Sequence, residues 1–190
     1  MTDEEITNKL AKLGYTKLWL DYGVLTMERL IAQEQEFNNG NDKNTEHYRY
    51  RTFRDYLSSK TKLSDMEFDN FLELTMHDQD PLMAGSAAAD LFRMVDLMPF
   101  QFQKLCKVIG HFGEWTSKVI LRQTLLRELK HSELTADLFT KCMENGDSVV
   151  HEYLLGIANL AQLQELAIKG RNKGIRNVAT QKIRSIKSKK

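Results

Sequence analysis

Apolar residues recur at helical spacing along the whole chain. Thr2 and Glu5 form a capping box ahead of Ile6, Leu10 and Leu13, and Gly14 ends the helix they predict. A second helical segment is predicted over residues 17–37, with a break at Gly23. The run Asn38-Asn39-Gly40-Asn41-Asp42 is a loop. A helix starting at Asn44 or Thr45 then presents Tyr50, Phe53 and Leu57 to a core and leaves its arginines in water.

From residue 61 the pattern repeats. Ser64 and Glu67 make a second capping box before Phe68, Phe71 and Leu72. The turn His77-Asp78-Gln79-Asp80 follows, with Asp80 as cap and Pro81 at the first helical position. The helix PLMAGSAAADLFRMV is apolar on most of its circumference, and its small residues permit close helix contact. A second copy pairs PFQFQKLCKVI with EWTSKVILRQTLLREL. A third pairs ELTADLFTKCM, capped by Ser132, with SVVHEYLLGIA, capped by Asp147. A shorter fourth reads LAQLQELAIKG and then KGIRNVATQKIRSI, the latter with a narrow stripe of Ile175, Val178, Ala179, Ile183 and Ile186. The turns at His77, His111 and Asn145 lie 34 residues apart, and Asn172 follows 27 further on. Hairpins at such spacing predict an α-solenoid.

These hairpins resemble HEAT and armadillo repeats. DPLMAGSAAADLF is similar to the second helix of such a repeat, where Asp-Pro leads into small apolar residues. GIRNVATQKI is similar as well, with Arg176 at a position those helices often make basic. The resemblance covers about residues 61–187 and implies an all-α, right-handed solenoid of about four antiparallel hairpins. Residues 1–60 form an N-terminal helical cap packed on it, 188–190 form a basic tail, and the whole is expected to be one structural domain. Such scaffolds serve many roles, so the resemblance indicates fold and not chemistry.

Charge adds a second pattern. Residues 61–168 carry 9 basic and 16 acidic side chains, whereas 169–190 carry 9 basic and none acidic. An acidic body ending in a basic segment suggests a charged partner. The N-terminus has neither a basic start nor an apolar run, so a cytoplasmic location is expected, with no membrane contact. Cys106 and Cys142 sit in apolar helical runs and read as buried thiols of a reducing compartment.

Candidate chemistry is sparse. The cluster His77-Asp78-Gln79-Asp80 could hold a metal or an acid–base pair. Glu114 and Asp147 occupy the matching place in the other turns, which favours a capping role. None of His47, His77, His111, His131 and His151 forms a ligand motif, although His77 and His111 stand in equivalent turns. In EHYRYRTFRDYL, Tyr48, Arg49, Arg51 and Arg54 suit base stacking and phosphate contacts, or else ordinary amphipathic packing. No phosphate loop or nucleophile elbow is present. No catalytic, cofactor or metal residue is therefore assigned, and no enzyme activity is expected.

The leading expectation is a protein-binding module for a basic partner, with Asp80, Asp90, Glu114, Asp147 and Glu152 on the binding surface. The active clefts of nucleases are basic because they hold phosphates. Small helical-repeat proteins resemble some immunity proteins of contact-dependent interbacterial toxin systems, which implies a cognate nuclease-type toxin. The alternatives are nucleic-acid binding through Lys169, Arg171, Lys173, Arg176 and Arg184, and an adaptor role in a larger complex.

Overall fold

The computed structural model describes residues 1–188. Among them the protein is all-α, with twelve α-helices, one 3-10 turn and no strand. The chain forms two compact units, Met1–Glu114 and Trp115–Lys190. The division falls inside the second predicted hairpin, and the first sixty residues share a core with the helices that follow.

Unit 1 holds α1 (Asp3–Lys12), α2 (Leu18–Asp21), α3 (Met27–Asn39), α4 (Thr45–Ser58), α5 (Asp65–Met76), α6 (Pro81–Met94), α7 (Pro99–Ile109) and the 3-10 turn Gly110–Phe112. Its helix starts follow their local chemistry. The Thr2/Glu5 and Ser64/Glu67 boxes are both closed, and Asp80 accepts the Met83 N–H with Pro81 beside it. Gly14 and Gly23 take left-handed φ values of 75° and 68°, which turn the chain after α1 and α2. α1 packs on α3, α4 and α5 each pack on α6, and α7 packs on α5 and α6. An aromatic chain runs through the core, with ring centroids at 4.8 Å for Tyr15–Trp19, 4.3 Å for Trp19–Phe53 and 4.7 Å for Phe53–Phe71.

Unit 2 holds α8 (Trp115–His131), α9 (Ala136–Asn145), α10 (Ser148–Ile157), α11 (Leu160–Lys169) and α12 (Lys173–Lys187). α8 packs on α9 and α10, α10 on α9, α11 and α12, and α11 on α12. Leu125, Leu129, Phe139, Val150, Leu154, Leu163, Leu166, Ile175 and Ala179 make its core. The predicted cap Ser132 is not one: its N–H closes the end of α8 on the Glu128 carbonyl, and Thr135 caps α9 instead. On α12 only Ile175 and Ala179 are buried, with Ile183 half-buried, so the predicted stripe is narrower still. Val178 and Ile186 stay exposed. Among the described residues no helix is long and apolar enough to cross a membrane.

Candidate partner-binding site

The middle of unit 1 is organised by a buried cation. Arg49 is expected in water from its sequence, yet it is only 1% exposed, the largest of the fully buried side chains. The spacing Arg49, Phe53, Leu57 places it on the core face of α4. Its guanidinium donates to both carboxylate oxygens of Asp78, at 2.8 and 3.1 Å. It also donates to the Leu13 carbonyl and the Thr45 hydroxyl, each at 3.0 Å. Asp78 accepts the Asp80 N–H at 2.9 Å as well, which shapes the turn into α6. The His77-Asp78-Gln79-Asp80 cluster is thus a structural turn, with Asp78 as counter-ion and Asp80 as cap.

A second carboxylate bridges α4 and α6. The alanines Ala84, Ala87 and Ala88 are fully buried and let α4 approach closely, which draws the next turn of α6 under cover. Asp90, expected on the binding surface, is consequently 1% exposed. It accepts from the Tyr50 hydroxyl at 3.0 Å, pairs with Arg93, and has Arg54 at 3.8 Å. A buried carboxylate needs such partners. Asp90 therefore tethers α4 to α6 and offers no open charge.

Above this pair of tethers lies an open cavity of about 350 Å³, lined by Glu46, His47 and Tyr50 of α4 and by Asp80, Leu82, Met83 and Ser86 around the start of α6. Leu82 and Met83 supply apolar surface, and Leu82 is 70% exposed. Glu46 and Asp80 supply carboxylates. Asp80 uses one oxygen, Oδ1, for the Met83 N–H. His47 makes a 2.8 Å contact from Nδ1 to Asp42, whose hydrogen bond raises the imidazole above its ordinary value and lowers the Asp42 carboxyl. Tyr50 also lines a neighbouring cavity of about 330 Å³ edged by Arg51, Arg54 and Asp55, so two adjacent hollows differ in charge. Arg51 chelates Glu36 and lies over the Tyr48 ring, and Arg54 lies over Tyr50.

The remaining expected surface residues are scattered. Glu114 is exposed at the end of unit 1. In unit 2, Asp147 caps α10 through the Val149 and Val150 N–H groups and is paired with Arg122, while Glu152 is exposed. Of the basic set, Lys169 pairs with Glu165 and Arg176 donates to the Gly170 carbonyl, whereas Arg171, Lys173 and Arg184 are exposed. Lys189 and Lys190 lie outside the described residues.

Two buried groups of unit 2 are chemically quiet. Burial, with a contribution from Glu128, pushes the Cys142 thiol up to about 11, so it stays protonated. Cys106 is half-buried and not the fully buried thiol expected. His151 is buried. Its Nδ1 accepts the Arg171 N–H at 3.2 Å, and desolvation holds the ring below its ordinary value. Among the described residues no three His, Cys, Asp or Glu side chains gather as metal ligands would. Sequence reading missed the cavity because its two walls lie thirty or more residues apart in the chain. Comparison with protein-family models, with curated proteins and with solved structures finds no match for this chain.

Proposed function

We propose that the protein is a binding module for a basic protein partner. Its carrying observation is the set of carboxylates that internal pairing leaves open. Asp137, Glu144 and Glu152 on α9 and α10 are exposed, and no ion pair among the described residues engages them. Such charges steer association and select against nucleic acid. We read the helix pairs as hairpins of a right-handed HEAT-like solenoid, and the specific partner we put forward is a nuclease-type toxin, neutralised by this chain acting as an immunity protein. The test is a titration of the protein with basic nuclease domains, with duplex DNA and single-stranded RNA as controls. Binding of a nuclease, slowed in association by Glu144→Lys with Glu152→Lys and weakened by salt, is the expected outcome. Equal binding by wild type and the charge-reversed variant refutes it.

A second reading, nucleic-acid binding, draws on α12. Lys173, Lys182, Arg184 and Lys187 are exposed, and no ion pair among the described residues engages them. It predicts tight RNA or DNA binding near physiological salt with a steep salt slope, flattened by Lys182→Gln with Arg184→Gln. An adaptor role would use the same acidic surface without inhibiting its partner.

A further inference from the structure

We infer that the cavity between α4 and the start of α6 receives a single arginine or lysine side chain projecting from the basic partner. This rests on the proposed reading of a basic protein partner and gives it an anchor point. At about 350 Å³ the cavity is at the small end of ligand sites, which span roughly 300–1,000 Å³. It suits one long side chain better than a cofactor.

Its lining matches the two halves of such a side chain. Leu82 and Met83 offer apolar surface to a methylene stem, and Tyr50 adds a ring face. Glu46 and Asp80 place two carboxylates at the same opening. Asp80 spends Oδ1 on the helix cap, and no bond among the described residues occupies its other oxygen. Glu46 has no ion-pair partner among the described residues. Nor is the exposure of Leu82 needed by the fold: α6 already buries Met83, Ala84, Ala87, Ala88 and Leu91. An apolar residue this open beside two available carboxylates is what a partner's amphipathic cation would cover. The adjoining cavity is edged by Arg51, Arg54 and Asp55, whose charges are engaged by Glu36, Asp90 and Arg29, so of the two hollows only this one presents carboxylates without an ion-pair partner among the described residues.

The test is a ¹⁵N NMR titration of the full chain at low salt with N-acetyl-arginine amide, N-acetyl-lysine amide, N-acetyl-norleucine amide and N-acetyl-glutamate amide, followed by a twenty-residue arginine–glycine peptide. The expected result is saturable, millimolar binding of the two cationic amides, with shifts confined to Glu46, His47, Tyr50, Leu82, Met83 and Ser86. Glu46→Gln, at a half-buried position, and Asp80→Asn, which keeps the helix cap, should each weaken it up to about fivefold. Leu82→Ser should weaken arginine and norleucine amides alike, with an unchanged melting temperature as the check on folding. Norleucine amide binding as tightly as arginine amide, or no saturable shift with either cation, overturns the proposal. The peptide separates the two levels. Shifts around Asp137, Glu144 and Glu152 without shifts in the cavity leave the basic-partner reading standing and sink the anchor. No shift anywhere sinks both.

Discussion

Replacing Arg49 by methionine should remove most of the stability of unit 1. The substitution keeps an unbranched apolar stem, about two atoms shorter than arginine, and deletes the cation and all four of its hydrogen bonds. Those bonds run to Asp78 at 2.8 and 3.1 Å and to Leu13 and Thr45 at 3.0 Å each. The side chains of Arg49 and Asp78 are each 1% exposed, so Asp78 would keep a buried charge with only the Asp80 N–H as donor. Breaking a buried pair from one side costs about 3–5 kcal/mol, a large share of the roughly 5–15 kcal/mol typical of a domain. The cost comes from the orphaned carboxylate and not from the lost attraction. Arg49→Met with Asp78→Leu should therefore be more stable than Arg49→Met alone, by about 1–3 kcal/mol. Urea unfolding followed by Trp19 emission, in a Trp115→Phe background, measures this, since Trp19 lies in the unit 1 core. A single-mutant loss below about 1 kcal/mol, or strictly additive effects in the double mutant, refutes the reasoning.

Other consequences can be measured directly. His151 is held neutral by burial, so the unfolded chain takes up a proton near its ordinary value of about 6.5 while the folded chain resists. The stability this contributes is complete above about pH 6.5 and is lost as pH falls toward the lowered folded value, with a slope of up to about 1.4 kcal/mol per pH unit; His151→Gln should remove that slope, and identical wild-type and variant profiles count against it. Gly14→Ala should destabilise unit 1 by about 1–3 kcal/mol, because φ is +75° and a Cβ would sit 2.3 Å from the Gln79 amide and 2.4 Å from Arg49; an unchanged melting curve is the contrary outcome. A thiol reagent should modify Cys106 first and Cys142 only through opening of unit 2, since Cys142 is buried and its thiol raised; equal rates on mass spectrometry would exclude that order.

Helix starts were legible in the sequence because a cap signal lies within three residues of the group it serves. Thr2, Ser64, Asp80 and Asp147 all cap as their spacing indicates, and Asn172, marked only as a turn, caps α12 as well. Ser132 failed by the same local logic, since Thr135 stands closer to the apolar run of α9. Burial of charge was less legible. Arg49 shares the i, i+4, i+8 face with Phe53 and Leu57, a signal that does exist, but its counter-ion is 29 residues away. Asp90 was a comparable miss. An acid in a helix apolar nearly all round has no solvent face to use, so the pattern that marked α6 as buried also implied a buried, partnered carboxylate. The cavity depends on how α4 meets α6, and no local spacing encodes that.

The separations of these polar contacts also bear on the order of assembly. Unit 1 satisfies its interior by joining residues 29, 36 and 38 positions apart, as in Arg49–Asp78, Leu13–Arg49 and Leu63–Gln101. Unit 2 needs shorter spans, 20 for His151–Arg171 and 25 for Arg122–Asp147. Loop closure grows costlier with length, and folding slows as contacts become less local. On that reasoning unit 1, synthesised first, is expected to fold more slowly than unit 2. The Arg49 site of the folded unit is therefore complete only once Asp78 and the turn into α6 are in place.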